Sequence, residues 1–206
     1  MTSALLVVAG YLAGSMPFGY WLVRVARGVD IRTVGSGNIG ASNVWRTFGR
    51  GYGIPVFLLD TAKGFVPALV ASLVAGDLVG VLAGGAAMLG HWRPLFLRFE
   101  RGGKMVATCG GTFFALAPLV GVIGGFVWLA VFLGLRYPSV ASMVAAVSLP
   151  AAAAGLGETW PVIGLASAAA VAVIVLHRGN IARLRAGTEN RASLRRRRGK
   201  GAAVQA

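Results

Sequence analysis

One cysteine, Cys109, and two histidines, His91 and His177, are the only thiol and imidazole groups in 206 residues. No internal disulfide can form, and a protein-bound zinc site is not expected. Carboxylates are scarce too. Six Asp and Glu stand against 20 Lys and Arg, a formal net charge of +14, so any polar ligand is expected to be anionic. The full G-x-x-x-x-G-K-[ST] phosphate loop is missing. The segment from Ala4 to Val23 has neither a basic n-region nor an A-x-A cleavage site, and it reads as a retained helix rather than a signal peptide. No internal repeat is visible.

What is abundant is apolar. The chain is 56% hydrophobic and only 13% charged, with a mean hydropathy of +0.74. That excludes an ordinary soluble domain and predicts an all-α, polytopic membrane protein. Its 31 glycines suit close helix packing in lipid. Apolar runs predict seven transmembrane helices, at 3–24, 52–75, 78–97, 105–116, 118–135, 138–156 and 159–177. The fourth is short, a half-helix or re-entrant segment.

Charge sets the expected topology. Arg24, Arg27, Arg32, Arg46 and Arg50 fall between the first two helices. Arg98, Arg101 and Lys104 follow the third, Arg136 the fifth, and Arg178, Arg183 and Arg185 the seventh. The other turns carry only Asp77 and Glu158. By the positive-inside rule the basic loops and the C-terminus are cytoplasmic and the N-terminus is outside. The basic ends of 105–135 predict a hairpin turning near Ala117-Pro118. One membrane domain is expected over 1–190. A basic, disordered cytoplasmic tail is expected over 191–206, with Arg195-Arg196-Arg197-Arg198 near anionic lipid rather than nucleic acid.

With this topology the unusual polar residues gather at one face. Gly35-Ser36-Gly37-Asn38-Ile39-Gly40-Ala41-Ser42-Asn43-Val44-Trp45-Arg46 is the densest group. Small residues leave backbone N–H groups open, Ser and Asn add hydrogen bonds, and Arg adds a fork that fits phosphate. The others are Asp60 to Gly64, Gly90-His91-Trp92-Arg93-Pro94 with Gly102-Gly103-Lys104, Arg136 to Ser142, and His177 to Asn180 with Arg183-Leu184 and Gly187-Thr188-Glu189. Each has a plainer reading. Asp60 and Lys63 are one turn apart and can neutralise each other. A lone interfacial His is usually a hydrogen-bonded helix end, but two at the same face point toward a ligand. Trp45, Trp92, Tyr137 and Trp160 read as interface anchors.

Taken together and in order, these five motifs resemble the bacterial acyl-phosphate:glycerol-3-phosphate acyltransferases, from about Gly10 to Glu189. The resemblance implies a seven-helix enzyme of the bacterial cytoplasmic membrane, active at the cytoplasmic face and using no cofactor. It implies transfer of a fatty acyl group from acyl phosphate to the 1-hydroxyl of sn-glycerol 3-phosphate, the first step of phospholipid synthesis. The expected partners are those substrates, the lipid bilayer and a functional link to an acyl-phosphate-forming enzyme, with no nucleic acid. The H-x(4)-D motif of the other glycerol-phosphate acyltransferase class is absent. The chain departs from the family pattern in four places. Ile39 stands for a frequent Pro, Ser42 for a usual Thr and Met105 for a usual Gly, and Glu100-Arg101 looks like one extra residue. Met105 is expected to narrow the acyl-phosphate pocket.

An acyl phosphate is already activated, so the expected task is to hold two dianions together and orient one hydroxyl. Ser36, Lys104 and His177 are the expected catalytic residues. Ser36, Asn38, the Gly37–Gly40 backbone and Gly102-Gly103-Lys104 are expected to hold acyl phosphate. Arg46, Lys104, Ser142, His177 and Asn180 are expected to hold glycerol 3-phosphate. Asp60, Lys63, His91 and Glu189 are expected to support the site. The competing reading is a transporter or binding protein for a phosphorylated solute, which requires a polar path across the bilayer.

Overall fold

The structure is a computed structural model, and residues 1–192 are described. The basic run Arg195–Arg198 and nearly all of the expected disordered tail lie outside the described residues. Ten α-helices form among the described residues. They are α1 (Thr2–Gly14), α2 (Phe18–Arg27), α3 (Ala41–Phe48), α4 (Arg50–Ala75), α5 (Asp77–Trp92), α6 (Val106–Leu116), α7 (Pro118–Leu135), α8 (Pro138–Gly155), α9 (Trp160–Leu176) and α10 (Arg178–Arg185). No strand is present among them.

The first expected helix is broken. Ser15 turns its hydroxyl back onto the Tyr11 carbonyl (2.8 Å), and Pro17, which has no N–H, caps α2 instead of continuing α1. The third is shorter than expected and ends at Trp92 rather than 97. Pro94 cannot donate to the helix, and Leu95–Leu97 winds into a separate 3-10 turn. The short amphipathic helices α3 and α10 are additions that apolar run-length could not reveal, because each has only eight residues. The expected hairpin is present. Ala117 closes α6, Pro118 opens α7, and Gly121 lies so close to the Phe114 backbone that a Cβ would sit 2.9 Å from its nitrogen.

Thr2–Arg27, α4, α7 and α8 are long and apolar enough to cross a membrane. The pair α9 and α10, bent by 53°, makes a fifth. Helices α5, with 16 residues, and α6, with 11, are shorter. Large apolar side chains such as Leu5, Phe57, Leu73, Phe126 and Val171 point outward along these helices, as a lipid-facing surface requires and a water-facing one would not tolerate.

Small residues set the crossings. Gly10 and Gly14 of α1 sit on the backbones of Ala83 and Ala87 of α5, and Gly64 of α4 on Thr108 of α6. A side chain at any of these positions would overlap a neighbour's carbonyl. In lipid, where apolar burial offers little drive, such close approach supplies the packing energy. Thr108 and Thr112 of α6 also donate to the Asp60 and Gly64 carbonyls of α4 (2.9 and 3.5 Å). These pairings make α1 parallel to α5 and α4 parallel to α6. The loops 28–40 and 93–105, the α7–α8 corner and the segment after α9 therefore all lie at one end.

Candidate active site

Three glycine-containing segments meet at that end. The first is shaped by Asn43, a buried residue of α3. Its Oδ1 accepts from the Ser36 N–H (2.9 Å), and its Nδ2 donates to the carbonyls of Val34 (3.1 Å) and Asn38 (2.9 Å). Asn38 Oδ1 accepts from the Gly40 N–H (2.8 Å) at the start of α3. One buried amide thus folds residues 34–43 into a loop that holds Ser36 and Asn38 outward. Gly35 (φ +63°) and Gly37 (φ +68°) take the left-handed turns that this path requires.

The second segment is zipped onto the end of α5. The Gly103 N–H donates to the His91 carbonyl (2.9 Å) and the Gly102 N–H to the Trp92 carbonyl (2.9 Å). A side chain on Gly102 would strike the His91 carbonyl, and one on Gly103 would occupy the His91 ring. These contacts explain why the two residues are glycine and place Lys104 at the rim. Asn38 Nδ2 reaches across to the Gly102 carbonyl at 3.3 Å. The third segment is α10 with the turn that leads to Glu189. Glu189 accepts from Ser139 (2.8 Å), Asn180 Nδ2 (2.6 Å) and Arg183 Nε (2.7 Å). With its NH₂ held by Glu189, Asn180 turns Oδ1 toward the Lys104 ammonium, which donates to it.

The cleft between them holds about 130 Å³ and is lined by Ser36, Gly37, Asn38, Arg101, Lys104, Gly179, Asn180 and Arg183. Burial, then the nearby Arg183, Arg101 and Arg46, push Lys104 down to about 8, against the pull of Glu189 in the other direction. A cation held this far below its ordinary range gains from any anion that enters. Burial works to raise the Glu189 carboxyl, and the hydrogen bonds from Asn180, Ser139 and Arg183 outweigh it, leaving it below the usual range.

Beneath the Gly102-Gly103 segment lies a buried triad. Lys63 Nζ is 2.7 Å from Asp60 Oδ1 and donates to the Met16 carbonyl (2.8 Å) at the α1–α2 break. His91 Nδ1 is 3.6 Å from the same carboxylate and has no hydrogen-bond partner. Three of the four side chains expected as support, Asp60, Lys63 and His91, come together here and carry the floor on which Gly103 rests; the fourth, Glu189, stands at α10.

Of the expected ligand-binding residues, Ser36, Asn38, Lys104 and Asn180 line the cleft. Gly40, Gly102 and Gly103 shape it through their backbones. Arg46 is near enough to act on the charge of Lys104, while Nη2 donates to Asn43 Oδ1 (3.3 Å). His177 is buried at the α9–α10 bend, with Nδ1 2.8 Å from the Val173 carbonyl. A carbonyl only accepts, so Nδ1 carries the proton and Nε2 of the neutral ring keeps its lone pair. Ser142 is turned away: its hydroxyl donates to the Pro138 carbonyl (2.7 Å) and accepts from Trp128 Nε1 (3.1 Å). Met105 does not line the cleft either. It is buried with Cys109 and Phe113 in the apolar core, at φ +66°. That left-handed conformation suits a glycine, and the expected narrowing of the pocket is replaced by packing beneath it.

Arg101 and Arg183 line the cleft without having been expected there. Asn180 and Arg183, three apart on α10, share one face, and that spacing was a usable signal. For Arg101, adjacency to the Gly-Gly turn was the only hint.

A family model described as Glycerol-3-phosphate acyltransferase matches residues 4–187. The chain belongs to the glycerol-3-phosphate acyltransferase family. It is 44% identical over 195 residues to a glycerol-3-phosphate acyltransferase of Desulforudis audaxviator, covering 94% of this chain and 98% of that one. It is 46% identical over 196 residues to one of Geobacter sulfurreducens, covering 93% and 98%. Among solved structures, the glycerol 3-phosphate form of PlsY (YgiH), an integral membrane glycerol 3-phosphate acyltransferase, superposes with a TM-score of 0.90 at 42% identity, covering 94% of this chain and 96% of that one. The lysophosphatidic acid form gives 0.87 at 41%, with the same coverage. The all-helical fold, the membrane setting and the sequence motifs of the acyltransferase family therefore agree.

Proposed function

We propose that this acyltransferase moves a fatty acyl group from acyl phosphate to the 1-hydroxyl of sn-glycerol 3-phosphate, giving lysophosphatidic acid and inorganic phosphate. One observation carries the reading: a cleft lined by Lys104, Arg101 and Arg183 with Ser36, Asn38 and Asn180, in which no lining residue is a carboxylate. Two phosphate groups repel each other in water, and crowded cations with fixed amides offset that repulsion without reorganising. The Ser36–Asn38 loop and Gly102-Gly103-Lys104 hold the donor phosphate. Lys104, Asn180 and Arg46 hold the acceptor phosphate. His177 Nε2 accepts a hydrogen bond from the attacking hydroxyl. That oxygen adds to the acyl carbon, the carbon–oxygen bond to phosphate breaks, and the hydroxyl proton ends on the released phosphate. No covalent enzyme intermediate is needed, because the mixed anhydride is already activated. The acyl chain lies between helices, open to lipid.

The test uses purified protein, palmitoyl phosphate and labelled glycerol 3-phosphate, with palmitoyl-CoA as control donor. Labelled lysophosphatidic acid should form with the phosphate donor alone. Product from the CoA thioester, or from neither donor, overturns the reading. The transporter alternative needs polar residues from end to end. Here the charged residues other than Asp77 and Glu158 collect at one end, and α7, α8 and α9 carry none.

The orientation belongs to the same proposal. The chain is read as seven spans in the bacterial cytoplasmic membrane, with the cleft facing the cytoplasm, because Arg and Lys crowd the cleft end and only Asp77 and Glu158 the other. Cysteines introduced at positions 77 and 158 in the Cys109-containing protein, where Cys109 is buried, should react with impermeant thiol reagents from outside. Labelling of either only after the membrane is opened contradicts this topology.

A further inference from the structure

The two lips of the cleft are carried by loops far apart in sequence, and few groups join them. Asn38 to Gly102 is one link, and a long one at 3.3 Å. The other is an ion pair outside the cleft, in which Arg32 Nη1 donates to Glu100 Oε2. Arg32 is a prepared post. Its Nε lies 3.0 and 3.1 Å from the two Asp30 oxygens and its Nη2 2.7 Å from Oδ2. The Asp30 oxygen also accepts from the Arg32 N–H (2.9 Å), and the guanidinium lies 5.0 Å from the Tyr20 ring centroid. The hydrogen bonds from Arg32 hold the Asp30 carboxyl below its ordinary range, against the opposing effect of its burial. This post stands at the base of the loop that presents Ser36 and Asn38.

Glu100 is the residue on the opposite lip. It is exposed, at 62% for its side chain, and immediately follows Arg98 (φ +53°) and Phe99 (φ +60°). Two successive non-glycine residues in the left-handed region store strain. The start of this turn is held by backbone bonds from the Arg98, Phe99 and Glu100 N–H groups to the Leu95, Pro94 and Leu97 carbonyls, and the surrounding structure must hold the rest. Three anchors stand directly downstream: Glu100 on Arg32, Arg101 in the cleft, and the Gly102-Gly103 zipper.

We propose that Glu100 is a positioning residue, an ionic latch on Arg32 that holds the 93–101 loop closed and keeps Arg101 in the phosphate cleft. The latch rests on the cleft being the phosphate site proposed above. Glu100 touches no substrate; it acts through Arg101. The latch fixes the far end of the left-handed turn at Arg98 and Phe99.

The sign of one substitution separates this from simple electrostatics. Glu100→Gln removes a negative charge beside a basic cleft. If charge alone mattered, an anionic ligand would bind more tightly. If Glu100 holds Arg101 in place, the ligand binds more weakly, by about two- to fivefold, the range of an exposed ion pair. The experiment measures inorganic phosphate affinity by calorimetry, and KM and kcat for glycerol 3-phosphate, on four full-length proteins: wild type, Glu100→Gln, Arg101→Gln and the double variant. The expected result is weaker phosphate binding and raised KM in Glu100→Gln, kcat nearly unchanged, and no further loss when Glu100→Gln is added to Arg101→Gln. A thermal midpoint equal to wild type confirms that the exposed substitution leaves the fold intact. Tighter binding in Glu100→Gln, or additive losses in the double variant, overturns the latch. Phosphate binding reads the latch without turnover. A wild type that binds phosphate and obeys the latch but transfers no acyl group overturns the proposed reaction alone.

Discussion

Glutamine at position 104 is expected to lower kcat/KM for both substrates by on the order of 10²-fold, the scale of one hydrogen bond from a charged donor to phosphate. Lys104 is the one cation that the proposed site gives to both phosphates, and its ammonium is already held by Asn180. Its pH behaviour makes the prediction specific. Free Lys104 lies at about 8 because it is buried among cations, so kcat/KM should fall above that pH as the charge is lost. Lys104→Arg keeps its charge throughout and should move the alkaline limb beyond pH 10, whatever its absolute rate. A wild-type profile flat to pH 10, or an unchanged limb in Lys104→Arg, removes Lys104 from this role. The stability sign runs the other way. A lysine depressed in the folded state binds fewer protons than in the unfolded one between about 8 and its ordinary 10.5. Its cost to stability is therefore full below pH 8 and relieved as pH rises through that window.

The second large effect is expected in the floor. Asp60→Asn removes the only carboxylate beside the buried Lys63 ammonium and leaves it neutral acceptors alone, the Met16 carbonyl and the new amide oxygen. Breaking one half of a buried pair costs about 3–5 kcal/mol, whereas replacing both halves by apolar groups is far milder. Thermal unfolding in detergent should therefore show a larger loss for Asp60→Asn than for Asp60→Leu/Lys63→Met. If the double variant is the less stable of the two, the pair is not the uncompensated burial argued here. Activity should also fall in the single variant, because His91 and the Gly103 N–H that bonds its carbonyl rest on this floor.

Run-length and charge asymmetry carried the expected helices a long way. The boundaries of α7 and the turn at Ala117-Pro118 came out as read, because a long apolar run and a proline are local signals. The break at Pro17 and the end of α5 at Trp92 did not. Both sit inside runs apolar enough to continue, and both depend on a partner elsewhere: Lys63 on the Met16 carbonyl, and Gly102-Gly103 on the end of α5. Ser142 fits a hydroxyl ligand by sequence, yet its hydrogen bonds stay within the α7–α8 corner.

By itself the sequence determined the helical membrane class, the clustering of cations and glycines at one end, and the family, because composition, hydropathy and ordered motifs are properties of the chain read along its length. Tertiary structure alone decided which of those groups share a cleft. Asn43 folding the Ser36 loop, Glu189 turning Asn180 toward Lys104, Met105 going into the core and Arg101 going into the cleft are all choices between partners separated by turns or tens of residues. Such choices are made by packing and hydrogen-bond satisfaction among buried groups, which no local pattern encodes.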